Sequence, residues 1–207
     1  MKDFSVSMAL VDYVPVIFFA LAGVILMRDL YSKMCKGAFA LFSAGIIDII
    51  CAGALKATYK LLYALNVCDF EALSDMFFPV QSIGFLLAGL GIIAMLRAKQ
   101  KETACFAAAP AAFSGTFVFV SLMVAGLGLM DVALCIISAK MKKHWLIALF
   151  VLSFICSLCM GYLSSQDFAQ ASMNWIAEGV NVVGQGTLLL GVYLLHKNGL
   201  AEVQIKQ

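Results

Sequence analysis

Four polar side chains interrupt the last long apolar segment of the chain at spacings that match one face of a helix. They are separated by four, three and four residues: Asn174, Glu178, Asn181 and Gln185. Because each helical residue advances by about 100°, these side chains fall within an arc of about 60° and form one stripe. Lipid cannot satisfy carboxylate or amide groups, so we expect the stripe to face other helices or a water-filled cavity.

A second polar stripe lies in the apolar segment that covers residues 37–64. Its members share an arc of about 80° on a helix: Asp48, Lys56, Tyr59 and Tyr63. An ionisable group at such depth costs on the order of 2.5–3.5 kcal/mol and usually pairs or lines a cavity. Lys56 and Glu178 are expected at similar depths. The sequence therefore predicts an ion pair between them, with the tyrosine hydroxyls and Asn181 completing the hydrogen bonding.

Two further acidic residues allow more than one interpretation. Asp131 is expected at a depth close to that of Asp48, and two carboxylates in apolar surroundings could carry a proton or hold a cation. Alternatively, Asp131 caps a helix or pairs with Lys140 or Arg28 near the membrane interface. Asp12, near the start of the chain, either lines an entrance or anchors the first helix at the interface.

The composition places these residues in a membrane protein. The chain of 207 residues is 63% hydrophobic and 13% charged, whereas soluble domains are about 45–50% apolar and about 25% charged. The net charge of +2 is small and scattered, which argues against nucleic acid as a partner. The expected surroundings are a lipid bilayer.

Apolar runs over residues 7–28, 37–64, 76–96, 145–163 and 174–196 predict five membrane helices, and residues 103–139 decide between six and seven. If 103–139 crosses twice, with a break near 114–116, every basic flank lies on one side of the membrane. The acidic connections 68–75 and 164–172 then lie on the other side. The positive-inside rule therefore favours seven helices in a plasma (inner) membrane, with the N-terminus outside and the C-terminus cytoplasmic. Six helices are the alternative.

The predicted layout is a single transmembrane domain, 1–207, with an internal repeat. Halves 1–100 and 116–200 would be joined by a linker helix at about 103–115. Ala22-Gly23 with Leu26-Met27 matches Ala125-Gly126 with Leu129-Met130, although small residues also recur by chance. This 3+1+3 layout resembles that of the SWEET and PQ-loop transporters. Pro79 and Gln81 are not adjacent as in the proline–glutamine motif of that family, so the resemblance extends to layout and to no residue's role.

The chemistry of an enzyme is not apparent in the sequence. His144 and His196 are the only histidines, and both lie at the predicted cytoplasmic edge, so a buried haem or zinc site lacks ligands. Cys156 and Cys159 have redox-motif spacing, but no basic residue lies near enough in sequence to activate a thiol, and helix packing is the expected role. We expect no catalytic residue, no metal and no cofactor.

These observations favour a membrane transporter or permease for a small polar or zwitterionic solute. The cavity is expected between the second and last predicted helices, with these lining residues: Asp48, Lys56, Tyr59, Tyr63, Glu178, Asn181 and Gln185. Proton or cation coupling is assigned to Asp48 and Asp131. The alternatives are a substrate-binding membrane subunit or sensor that does not transport alone, and a structural protein. A homo-oligomer or partner transporter subunits fit either of the first two functions.

Overall fold

The structure, a computed structural model, describes residues 5–97, 116–163 and 171–203, and these residues form helices and turns without a strand. The helices are α1 (Val6–Val11), α2 (Tyr13–Leu30), α3 (Lys36–Ala64), α4 (Ala72–Asp75), α5 (Phe77–Arg97), α6 (Thr116–Lys140), α7 (Ile147–Leu163) and α8 (Ala171–Lys197), with 3₁₀ turns at Tyr31–Lys33 and His144–Leu146. The prediction of an all-helical membrane protein is confirmed.

Six segments of the described residues are long and apolar enough to cross a membrane. They are Val6–Lys33, Lys36–Ala64, Ala72–Arg97, Val118–Lys140, His144–Leu163 and Ser172–Lys197. Helix α6 begins at Thr116, where the sequence analysis placed a break in 103–139. The predicted linker helix at about 103–115 lies outside the described residues, and the seventh crossing stays a prediction.

Two prolines interrupt the first and third segments at equivalent places. Pro15 has no N–H to donate to the carbonyl of Val11, and its ring crowds that carbonyl, so α1 ends at Val11 and α2 begins after Asp12. Pro79 stands in the same relation to Asp75, where α4 ends before α5 begins at Phe77. The break at Asp12 directs this acidic side chain toward the interior of the bundle.

Four pairs of consecutive helices run antiparallel. In each pair, residues late in one helix contact residues early in the other. These contacts are Gly23–Ile46 and Tyr13–Thr58 for α2 and α3, Gly45–Gly84 and Gly91–Phe42 for α3 and α5, Gly128–Phe154 and Gly161–Val124 for α6 and α7, and Gly184–Cys156 and Gly191–Phe150 for α7 and α8. Glycine at most of these contacts allows the close approach that membrane helices use in place of a hydrophobic driving force.

Helices α5 and α6 run parallel. The Ser82 hydroxyl of α5 donates to the carbonyl of Phe119 at 2.8 Å. Further along both helices, Gly89 lies against Leu129. Residue numbers therefore rise together, and α6 runs in the same direction as the helix before it.

Helices α2 and α8 are also parallel. Phe18 lies against Gly186 in the middle of the pair, and near its end the Asp29 carboxylate lies 2.8 Å from Nδ1 of His196. Each membrane segment packs mainly on its neighbours in chain order, and α8 packs on α2. The six segments thus form a closed ring. The first half (α1 to α5) and the second half (α6 to α8) have the same sequence of directions.

These directions sort the charges onto two faces of the bundle. We call the face with the C-terminal ends of α2, α5, α6 and α8 the basic face; its residues are Arg28, Lys33, Lys36, Arg97, Lys140, Lys142, Lys143 and Lys197. The opposite, acidic face carries the connection between α3 and α5, with Asp69, Glu71 and Asp75. Among the described residues, the two remaining lysines are Lys56 and Lys60, and both lie inside the bundle.

The interior differs between the two ends of the bundle. The half nearer the basic face is a packed apolar core, whose fully buried side chains include Leu26, Phe42, Ile46, Ile92, Met130 and Leu134. Outward-facing apolar side chains such as Ile17, Leu21 and Val24 form a lipid-facing stripe. The half nearer the acidic face holds a cavity.

Gly45 provides a test of the packing between α3 and α5. A Cβ added there would lie 2.5 Å from the backbone nitrogen of Ala88, and backbone cannot move aside cheaply. We expect Gly45→Ala to destabilise the protein by about 1–3 kcal/mol through overpacking. The matched control is Gly179→Ala, because a Cβ at Gly179 meets nothing within 4 Å. Thermal unfolding in detergent that is equal for both variants would contradict this packing.

Candidate functional site

The cavity lies between the two halves and has a volume of about 320 Å³. Its walls run from Ser74 and Asn174, near the acidic face, down to Phe19 and Phe85, where the packed core begins. All six membrane segments contribute to the walls. The polar lining residues are Asp12, Lys56, Tyr59, Lys60, Ser74, Gln81, Ser157, Asn174, Glu178, Asn181 and Gln185.

An ion pair forms the end of the cavity nearer the acidic face. Nζ of Lys60 lies 2.7 Å from Oδ2 of Asp12, and the two side chains are only 11% and 9% exposed. The Glu178 carboxyl group is a hydrogen-bonding neighbour of the Asp12 carboxyl group. Helices α2, α3 and α8 thus bring two acids and one lysine together at one level.

Lys56 lies one turn deeper and has a different environment. Its Nζ lies 4.0 Å from the ring centroid of Phe77 and 6.0 Å from that of Phe78, which is cation–π geometry. No carboxylate among the described residues lies within ion-pair distance of this ammonium group. Asp12 and Glu178 act on it only through longer-range electrostatic attraction.

The predicted direct ion pair between Lys56 and Glu178 is therefore wrong. Lys60 is closer to the acidic face and reaches Asp12 instead. The Lys56 ammonium group lies over the ring of Phe77 instead. The Glu178 carboxyl group lies beside that of Asp12.

The floor of the cavity is apolar with amide groups at its edge. Phe19 and Phe85 meet edge to face, with ring centroids 5.7 Å apart. Gln81 and Gln185 line the cavity above them, and the side-chain oxygen of each is buried without a hydrogen-bond partner among the described residues. The edge-to-face rings close the cavity toward the core, and the amides leave hydrogen-bonding capacity for a molecule that enters it.

Of the seven predicted binding residues, five line the cavity: Lys56, Tyr59, Glu178, Asn181 and Gln185. Asp48 does not, because it lies 100° around α3 from Ile49 and packs beside Gly84 of α5. Tyr63 lies one turn beyond the lining residue Tyr59, with ring centroids 6.2 Å apart.

The predicted coupling residue Asp131 lies in the packed half of the bundle. It is 3% exposed, and neither carboxylate oxygen has a hydrogen-bond partner among the described residues. Asp131 and Asp48 do not line the cavity. Their role in proton or cation coupling stays a prediction.

Lys60 and Gln81 line the cavity without being among the predicted site residues, and Asp12 has two possible roles by sequence alone. Lys60 follows Lys56 by four residues, so helical spacing already placed both lysines on one face. Gln81 follows Phe77 by the same interval. No local signal indicated that Asp12 would reach Lys60, because that contact joins two different membrane segments.

The comparisons with known proteins give no relative. The chain matches no family model, no curated protein and no solved structure. Function therefore has to follow from the cavity. Among the described residues, no group of three His, Cys, Asp or Glu side chains is placed to hold a metal ion.

The two lysines should differ in their contribution to stability. Removing one partner of a buried ion pair costs about 3–5 kcal/mol, so we expect Lys60→Met to destabilise strongly. Lys56→Met breaks no ion pair and should cost about 1 kcal/mol or less. The double variant Asp12→Asn/Lys60→Met should recover part of the stability that Lys60→Met loses. Thermal unfolding in detergent tests this; equal losses for both single lysine variants would contradict the assignment.

Proposed function

We propose that this protein is a membrane transporter or permease for a small polar or zwitterionic solute. The observation that carries the proposal is a cavity with polar side chains in its walls, between two helical halves and closed at one end by the packed core. Solute cavities in transporters lie near the membrane midplane, where structural repeats meet. The volume of about 320 Å³ lies at the lower end of the usual range for ligand pockets, about 300–1,000 Å³. This size suits a small solute.

The arrangement of helices supports a parallel internal repeat. Each half has three membrane segments with the same order of directions, and the halves meet at two parallel contacts, α5 with α6 and α2 with α8. Such halves can rock against each other about a central site and expose it alternately to the two faces.

The same directions support a seventh crossing. Helix α5 ends at Arg97 on the basic face, whereas the parallel helix α6 begins at Thr116 near the acidic face. A further crossing between α5 and α6 would account for this change of face. We propose seven crossings in a plasma (inner) membrane, with the basic face cytoplasmic by the positive-inside rule and the N-terminus outside.

A set of polar contacts holds the two halves together on the basic face. The Asp29 carboxylate lies 2.8 Å from Nδ1 of His196. Nζ of Lys33 donates to the carbonyls of Ala201 and Val203 at 3.0 and 2.6 Å. We call these contacts the basic-face latch. For the cavity to open toward the cytoplasm, the contacts of the basic-face latch would have to break. The helices of the packed core between the cavity and the basic face would also have to separate.

The second candidate is a substrate-binding membrane subunit or sensor. The packed core between the cavity and the basic face favours it, because a binding protein needs only one entrance. A transporter exposes its site alternately to the two faces of the membrane, and a binding protein does not. Measuring the accessibility of the site from each face therefore distinguishes the two candidates.

The seventh crossing predicts the sides from which introduced cysteines react. In a variant without native cysteines, Arg97→Cys should react with a membrane-impermeant maleimide from the same side as the control Lys142→Cys. Val118→Cys should react from the side of Ser172→Cys, because α6 begins near the acidic face. Labelling of intact and inverted vesicles measures this. Reaction of both test positions from one side would exclude the crossing.

Alternating access predicts a reciprocal change in reactivity. Leu26→Cys reports the core near the basic face, where Leu26 is 1% exposed, and Gln185→Cys reports the cavity. Asp29→Asn weakens the latch and should raise the labelling rate of Leu26→Cys several-fold while lowering that of Gln185→Cys. The exposed residue Asp75 provides the matched control, Asp75→Asn, which should change neither rate. Unchanged rates in Asp29→Asn would favour the binding protein.

A further inference from the structure

We propose that the cavity binds a zwitterionic amino acid with an apolar side chain, its carboxylate at Lys56 and its ammonium group at Glu178. This deepens the proposed function and rests on the same cavity. Binding, however, can be measured without flux, so the two proposals can fail separately.

Lys56 supplies the cationic end of the site. Its ammonium group is held over the ring of Phe77 at 4.0 Å, and this contact positions the charge without neutralising it. Asp12 is already paired with Lys60 at 2.7 Å. A solute carboxylate would give Lys56 the charge-assisted hydrogen bonds that no described residue provides.

Glu178 supplies the hydrogen-bond acceptor for the ammonium group. Its side chain is buried, with the residue 5% exposed, and Oε1 lines the cavity without a hydrogen-bond partner among the described residues. A buried acceptor without a donor is unfavourable, because it has lost its hydrogen bonds to water. An ammonium group on the solute would offset this cost directly.

The two groups that lack a partner favour a solute with both functions. Oε1 of Glu178 accepts no hydrogen bond from a described residue, and the Lys56 ammonium group, one turn deeper, has no described carboxylate within ion-pair distance. A simple amine would occupy Glu178 and leave Lys56 without an anion, while a simple carboxylate would do the reverse. Because an unpaired charge is costly away from water, a zwitterion is favoured over both.

The floor determines the kind of side chain. On the side of the packed core, the cavity is lined by the edge-to-face rings of Phe19 and Phe85. Ile49, Met123 and Leu127 complete this surface. An aliphatic or aromatic side chain would be buried there, at roughly 25 cal/mol for each Å² of apolar area.

The test compares amino acids with analogues that lack one charged group. The purified full-length protein in detergent is titrated with L-leucine, 3-methylbutylamine and 4-methylpentanoate. A second series uses L-phenylalanine, 2-phenylethylamine and 3-phenylpropanoate. Binding is measured by thermal stabilisation, which follows mass action on the folded state. In at least one series, the amino acid should bind at least tenfold more tightly than both analogues.

Two variants assign each charged group of the solute to its residue. In Lys56→Met, the amino acid should bind no more tightly than its amine analogue, because the carboxylate has lost its partner. In Glu178→Gln, the amino acid should bind no more tightly than its carboxylate analogue. Asp75→Asn is the matched control, since Asp75 is exposed and does not line the cavity, and it should leave all affinities unchanged.

The outcomes separate the two proposals. Failure of both amino acids to bind the wild type would overturn the inference, as would equal binding of an analogue that lacks one charge. The wild-type comparison does not depend on whether a variant folds. Tight binding without flux would retain this site and overturn transport, whereas flux of another solute that neither amino acid inhibits would do the opposite.

Discussion

The ion pair between Asp12 and Lys60 determines the chemistry of the cavity. Two acids and two lysines line the cavity, and a different pairing would leave a different surface for a solute. Pro15 ends α1 ahead of Asp12 and brings this carboxylate within 2.7 Å of Lys60. Because Asp12 pairs with Lys60, the Lys56 ammonium group and Oε1 of Glu178 remain available inside the cavity. The proposed solute is the one whose carboxylate would bind Lys56 and whose ammonium group would bind Glu178.

The architecture around this ion pair depends on close approach between helices. Glycines bring α3 against α5 and α5 against α6, where side chains would collide with backbone. The two parallel contacts, α5 with α6 and α2 with α8, join halves that share one order of directions. One end of this ring is packed and held by the basic-face latch, and the other contains the cavity. The proposed transporter would have such asymmetry with its site closed to the basic face.

Much of the fold could be predicted from the sequence, because membrane helices need apolar runs of defined length. Polar stripes also placed Glu178, Asn181 and Gln185 correctly on one inward face. Partners could not be predicted in the same way. The spacing of Lys56 and Lys60 shows that they share a helical face, but which of them reaches an acid depends on the relative height of α2, α3 and α8. Asp48 does not line the cavity for a related reason. A stripe about 80° wide on α3 extends from the cavity wall into the packing interface with α5, and Asp48 lies on that side, beside Gly84.

Counterflow in proteoliposomes tests the central claim most directly. Vesicles containing the purified protein are loaded with the unlabelled amino acid that binds, L-leucine or L-phenylalanine, and diluted into a trace of the same compound carrying a radiolabel. A transporter with this site should accumulate label transiently inside the vesicles, while Lys56→Met should not and the lipid-facing control Gly179→Ala should. Binding by the wild-type protein without any accumulation of label would contradict the account and leave a solute-binding membrane protein.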